Sequence, residues 1–258
     1  MKILVIGATG LIGSKVVQRL TEQGHAIVAA SPATGVDILT GEGLQAAMEG
    51  VEVVIDLSNS PVFEGQGVLD FFQAAGRNLA QAENRAGVKH HLALSVVGTE
   101  RLKTSSYFRG KVAQETVIRN SGIPYTIVHS TQFYEFLGGI VKSGTDGEKV
   151  RLSPAYVQPI AAQDVADAVA RYAVGAPLNG MVEIAGPQRE HLSELAKRFM
   201  AHNDDSREVV SDVHAPYFGA ELEEATLLPA QDAWLAPTSF ESWLGASAAA
   251  PSALANAR

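Results

Sequence analysis

The sequence predicts an α/β fold built on a doubly wound parallel sheet. Short apolar runs rich in β-branched residues recur through the first half of the chain, and segments of helical periodicity separate them. The first of these junctions is a glycine-rich turn leading straight into a helix. The chain has 258 residues, 46% of them hydrophobic, enough for one large core or a core plus a small lobe.

The elements follow in order. KILVIG reads as a strand, GATGLIG as the turn, and SKVVQRLTEQG as a helix whose Val16, Val17 and Leu20 form an apolar face before Gly24 ends it. HAIVAAS is a second strand, EGLQAAMEG a short helix and VEVVIDLS a third strand. GVLDFFQAAGRNLAQAENRAG is a long helix whose Phe71 and Phe72 face either the sheet or a second subunit, so a homodimer is one possible partner state. HHLALSVVG, the helix SYFRGKVAQET and the strand IPYTIVHS complete the regular part. Strands alternating with helices imply right-handed crossovers and a sheet covered on both faces.

After Gln132 the pattern loosens into the turn-rich SGTDGEKVRLSPAYVQPI. A helix from Asp164 to Val174 follows, with Asp164 placed as N-cap and Asp167 in its first turn. Then come MVEIAG, expected to return to the sheet or its edge, and the helix HLSELAKRFMA. The expected division is a dinucleotide-binding core over residues 1–132, a covering region over 133–245 intertwined with it, and a frayed Ala/Ser-rich tail over 246–258.

Net charge is −8, and no Lys or Arg occurs between Arg19 and Arg77, which argues against a nucleic-acid or anionic-membrane surface and for small-molecule partners. The chain has no cysteine, which excludes disulfides, thiolate metal sites and cysteine nucleophiles. MKILVIGATG has too short an apolar run for a signal peptide, so a cytoplasmic protein is expected. His90 and His91 are adjacent on a strand and point to opposite faces, a poor chelate, and no metal is expected.

In GATGLIG the glycines are Gly7, Gly10 and Gly13. Gly7 permits the turn, Gly10 lets a phosphate approach the backbone, and Gly13 lets the helix pack on the strand. Backbone N–H groups around Thr9, Leu11 and Ile12 then meet a pyrophosphate at the positive end of the helix dipole. A P-loop would need Gly-Lys-Ser/Thr at the helix start, where this chain has Gly13-Ser14-Lys15. The tip of the second strand, AASPATG, offers the Ser31 and Thr34 hydroxyls but neither acid nor base. NADP is therefore permitted and weakly preferred over NAD, with Asp37 the nearest acid. Leu57, Ser58 and Asn59 follow a strand end and are candidates for lining the cofactor crevice, as is Gln132 beside Thr131 and Phe133; Tyr134 and Phe136 either shape a substrate pocket or pack in the core.

GATGLIG, Ser95 in LALSVVG, and Tyr107 with Lys111 in YFRGK resemble the short-chain dehydrogenase/reductase superfamily. SGIPYTIVHSTQFYEF and QPIAAQDVADAVA resemble its atypical NmrA-like, NAD(P)-binding branch. The resemblance covers about residues 1 to 245 and implies a Rossmann-type sheet with a small C-terminal substrate-covering region. It also implies a catalytic set of Ser95, Tyr107 and Lys111, with Lys111 holding the nicotinamide ribose as well.

The chemistry fits those residue types. Tyr107 and Lys111 are four apart, roughly 5 to 6 Å between Cβ atoms on one helix face, and an adjacent cation would lower the tyrosine pKa from about 10 towards a working acid or base. Ser95 would hold a substrate carbonyl. The expected activity is an NAD(P)H-dependent oxidoreductase acting on a small carbonyl compound or quinone. A dinucleotide-sensing regulator that binds NADP without turnover is the alternative. An epimerase or dehydratase with bound NAD ranks last, because no basic cluster is evident for a second diphosphate. No Gly-x-Ser-x-Gly surrounds Ser95, which argues against a hydrolase.

Overall fold

A computed structural model describes residues 1–249 of the chain. Its first half alternates as expected: β1 (Lys2–Ile6), α1 (Leu11–Glu22), β2 (Ala26–Ala30), α2 (Leu44–Ala47), β3 (Val53–Asp56), α3 (Gln66–Ala86), β4 (His90–Val96), α4 (Ser106–Arg119) and β5 (Tyr125–Ser130). The second half holds α5 (Leu137–Ser143), β6 (Thr145–Asp146), β7 (Lys149–Leu152), β8 (Tyr156–Val157), α6 (Ala162–Ala173) and β9 (Gly180–Ala185). It ends with β10 (Glu190–His191), α7 (Leu192–His202), β11 (Glu208–Ser211), β12 (Trp234–Leu235) and α8 (Phe240–Ala249).

The main sheet has seven strands in the order β2-β1-β3-β4-β5-β9-β12, every pair parallel. The chain moves outward from β1 to β2 and then crosses back to β3, so the strand order reverses between β1 and β3. Ligands of doubly wound sheets bind beyond the strand ends at such a reversal. MVEIAG joins the sheet as β9 beside β5, and β12 adds an edge strand that its two-residue length hid from the pattern.

Successive residues of β1 are buried on opposite faces, as a sheet covered twice requires. Ile3 and Val5 pack with Val16 and Leu20 of α1 and Val165 and Val169 of α6. Leu4 and Ile6 pack with Met48 and Leu79 on the other side. There α3 and α4 approach closely at glycine: a Cβ on Gly110 would lie 2.7 Å from the Phe72 ring. Phe72 is fully buried against α4, while Phe71 is half-buried.

The covering region is more regular than its sequence. KVRL alternates exposed and buried as β7, between β6 and β11, and β8 pairs with β10. A second core, including Tyr134, Leu195, Met200, Leu227 and Phe240, lies beneath.

Two expectations need correction. Asp164 is not the N-cap of its helix: α6 starts at Ala162, whose N–H donates to the Glu135 carboxylate, and Asp164 accepts from the Thr238 N–H and hydroxyl at 3.1 and 3.0 Å. Asp167 lies beyond the first turn and pairs with Arg19 of α1. A carboxylate from another segment took the capping role. Residues 246–249 belong to α8, and residues 250–258 of the expected tail lie outside the described residues.

Candidate functional site

The glycine turn lies at the strand reversal. Gly7 has φ +74 and donates its N–H to Ala30 O at the end of β2, while a Cβ there would stand 2.8 Å from Leu57 O just past β3. At Gly13 a Cβ would collide with the Gly7 carbonyl and come 2.8 Å from Ala8 Cα, so only glycine lets α1 sit this close to the turn. Gly10 is the N-cap residue; it makes no side-chain cap, and the first turn of α1 carries no acid. The N–H groups of that turn are therefore free to meet an anion.

Buried polar atoms without partners mark the same edge of the sheet. The Ser31 hydroxyl after β2, the Ser58 hydroxyl after β3, and both amide atoms of Gln132 after β5 have no hydrogen-bond partner. Such atoms cost free energy unless a ligand or water pairs with them. Together with the uncapped turn, they fit a dinucleotide laid across the strand ends. Its adenosine end would meet Ser31, and Ser58 and Gln132 would line the path beyond the turn.

The tip of β2 is less open than its sequence suggested. Thr34 directs its hydroxyl to the carbonyls of Ala29 in β2 and Ser31 in the turn, and accepts from the Ser31 N–H at 2.9 Å. Asp37 accepts from the N–H groups of Leu39 and Thr40, which closes a local turn.

Ser95, Tyr107 and Lys111 lie on β4 and α4 as expected, but each has its own partners. Lys111 is 3% exposed and donates to Leu94 O at 2.9 Å and to Gln114 Oε1 at 2.5 Å. Gln114 passes the link on, donating to Asp56 Oδ2 at 2.7 Å, the last residue of β3. The ammonium thus lies beneath the ends of β3 and β4, and burial pulls its pKa down to about 8 against the pull of Asp56 and Glu115. Ser95 donates its hydroxyl to Glu115 Oε1 at 2.5 Å. Glu115 also pairs with His129 and Arg119, which with Ser95 hold its carboxyl below the usual range against burial.

Tyr107 is half-buried, with the Asn59 side chain beyond β3 near its hydroxyl. The expected lowering of its pKa by Lys111 does not occur: burial pushes it up to about 12, and only the Asn59 side chain opposes this. The ammonium is turned into the sheet, while the phenol stands among rings. Phe63, Phe72 and Phe108 lie 5.4, 6.4 and 5.6 Å from it between centroids. At neutral pH Tyr107 is a neutral phenol, chemically a proton donor.

Sequence reasoning missed several groups here. Asp56, Gln114 and Glu115 carry the polar network, yet nothing in their spacing announces it. Phe63, half exposed, and Phe218, from the covering region, have centroids 6.1 Å apart beside Tyr107. Tyr134 packs between Phe240 and Trp243 in the core and does not shape a pocket, while Phe136 is 49% exposed and stacked on Phe133. Thr131 donates to Gln158 O. Among the described residues no group of His, Asp and Glu could hold a metal ion, and no helix is long and apolar enough to cross a membrane.

A family profile described as NAD(P)H-binding matches residues 7–174, which include the glycine turn, Tyr107, Lys111 and Gln132. The chain belongs to the NAD(P)H-binding family. This NAD(P)H-binding chain is 31% identical over 144 residues to (4-alkanoyl-5-oxo-2,5-dihydrofuran-3-yl)methyl phosphate reductase of Streptomyces griseus, covering 51% of this chain and 48% of that one. It is 27% identical over 153 residues to the photosystem II assembly factor Ycf39 of Cyanophora paradoxa, 54% of this chain and 48% of that one. The chain spans about half the length of the curated relatives it matches. Among solved structures, the NADPH-dependent quinone oxidoreductase QOR2 of Escherichia coli superposes with TM-score 0.64 at 21% identity, over 82% of this chain and 78% of that one. At that identity the likeness shows the fold, a Rossmann-type NAD(P)-binding sheet. The short-chain dehydrogenase/reductase resemblance is borne out at this level.

Proposed function

We propose that the protein is an NAD(P)H-dependent reductase of a small carbonyl compound or quinone, working in the cytoplasm, with Tyr107 as proton donor. The observation that carries this reading is the setting of Tyr107, a neutral phenol among Phe63, Phe72 and Phe108 on α4, near the Asn59 side chain just past the end of β3. A reduced nicotinamide bound there would supply hydride to the substrate carbon. This chain's own part is to give the proton to the oxygen from Tyr107, to hold cationic charge beneath the strand ends through Lys111, and to keep water away with Phe63 and Phe218. A phenol whose pKa is about 12 keeps its proton until negative charge develops on a nearby oxygen, which suits reduction better than oxidation.

NADPH is the proposed cofactor in preference to NADH. The support is the lack of a carboxylate at the tip of β2 to repel a 2′-phosphate, since Asp37 is held within its own turn. Titration with both cofactors, followed by a turnover screen of quinones and carbonyl compounds with Tyr107→Phe as control, tests the reading. Equal turnover in the variant would overturn it.

A second reading, a dinucleotide-binding regulator without turnover, draws support from the Ser95–Glu115 bond, which takes the hydroxyl proton expected to orient a substrate. Tight cofactor binding with no NADPH consumption across the screen would favour it.

A further inference from the structure

The site as described lacks the second donor that would fix a substrate oxygen opposite Tyr107. Ser95 was expected to supply it, but its proton is committed to Glu115 within the layer between sheet and helix. The covering region brings another phenol, Tyr217, to the cluster of rings that includes Tyr107. We infer that Tyr217 is the substrate-orienting donor, presented beside Tyr107 by a tight turn, for a flat ring-bearing carbonyl compound. This rests on the reductase reading above.

Tyr217 and Ala220 bond to each other at both backbone positions, 2.7 and 3.1 Å, closing a two-residue turn. Its central residues, Phe218 and Gly219, have φ +45 and +80. A bulky residue in the left-handed region is uncommon and costs about 1 to 3 kcal/mol, so the surroundings must hold it there. They do so through rings: Phe218 stands edge-on to Tyr217 at 4.8 Å, Phe63 is 6.1 Å from Phe218, and Tyr107 is 5.4 Å from Phe63. The four rings follow one another in contact, with a phenol first and last.

Tyr217 is 8% exposed; its hydroxyl has no hydrogen-bond partner among the described residues and is not one of the buried unpaired atoms, so it remains open to solvent or to a ligand. Burial raises its pKa, and charge on Tyr107 raises it further, so the two phenols sense each other and both stay protonated. A carbonyl oxygen has two lone pairs. Two neutral phenols can each donate to one of them, while the rings of Phe63 and Phe218 offer flat faces to an aromatic or quinonoid body. No charged side chain belongs to this cluster of rings, which suits an uncharged substrate.

The test uses the full chain loaded with NADP and the probe 4-(dimethylamino)benzaldehyde, whose absorption band moves to longer wavelength when its carbonyl accepts hydrogen bonds. Wild type is expected to bind the probe with a red shift, and Tyr217→Phe to lose about half of it while cofactor affinity stays within twofold. The parallel readout is reduction of the probe by NADPH, where Tyr217→Phe is expected to lower kcat/KM by about tenfold or more. A full red shift in Tyr217→Phe, or no shift in wild type, would overturn the inference. If the shift behaves as expected but no NADPH is consumed, Tyr217 holds the carbonyl and the reductase reading alone has failed.

Discussion

Ser95 and Glu115 are joined by a 2.5 Å hydrogen bond between β4 and α4, in which the serine hydroxyl is the donor. With His129 at 2.8 Å and Arg119 at 2.8 Å on the same carboxylate, the bond belongs to a buried knot linking β4, β5 and α4. Serine in this position works on the fold before it works on any substrate.

Ser95→Ala should therefore lower stability by about 1 to 3 kcal/mol, because one acceptor position on a buried carboxylate loses its partner. Chemical denaturation of wild type and variant measures this. A change below about 0.5 kcal/mol would show that the hydroxyl is not needed there.

Tyr107→Phe should leave the fold and cofactor affinity near wild type while reduction falls by two to four orders of magnitude, about the range removed with a general acid. Steady-state kinetics with a saturating cofactor, alongside fluorescence titration, separates the two effects.

Gly13→Ala places a methyl group against the Gly7 carbonyl. Either α1 moves off the turn or the turn itself changes shape. The expected result is a loss of about 2 to 4 kcal/mol in stability, a strain effect at the upper end for single substitutions, together with loss of dinucleotide binding. Thermal melts with and without NADPH check both, and the cofactor should no longer raise the variant's Tm.

Lys111 gives a pH signature of unusual sign. Its pKa in the folded protein is about 8, below the ordinary 10.5, so between these values the unfolded chain binds the proton that the folded one has released. Stability contributed by this group thus rises as pH climbs from 8 to 10.5, by something on the order of 2 to 3 kcal/mol. Lys111→Met should lack that rise and be more stable than wild type at pH 7. Denaturation curves of both proteins across this range decide it, and parallel curves would refute the burial argument.

The sequence carried the parallel sheet because β1 and β3 are nearly continuous apolar runs and β4 and β5 have apolar centres, and both faces of these strands are in fact buried. The glycine turn was legible for the same local reason: Gly7, Gly10 and Gly13 act on residues within the motif. The covering region was not, since β6, β8, β10 and β12 have two residues each and leave no periodicity. Asp164 looked like a cap because its own neighbours favour that, whereas Glu135, 27 positions before Ala162, does the capping. The site was half legible. Spacing placed Tyr107 and Lys111 on one helix but could not show that one would turn to Asn59 and the other to Gln114. Nor could it bring Tyr217, 110 residues further on, into the neighbourhood of Tyr107.

Arg101 in the loop after β4 donates to the carbonyls of Thr226 and Leu228, both at 2.9 Å, and to Ala225 at 3.4 Å. Gly98 in the same loop lies against Thr226, its φ of +87 closing the approach. One guanidinium thus fastens the roof that carries Tyr217 and Phe218 to the loop leading into Tyr107. Roof and floor are consequently fastened by different contacts: Arg101, Gly98 and the packing of Leu222 and Leu227 hold the upper wall, and the dinucleotide turn at the sheet's reversal takes no part in them. A protein built this way can change what it accepts without relearning how to hold its cofactor.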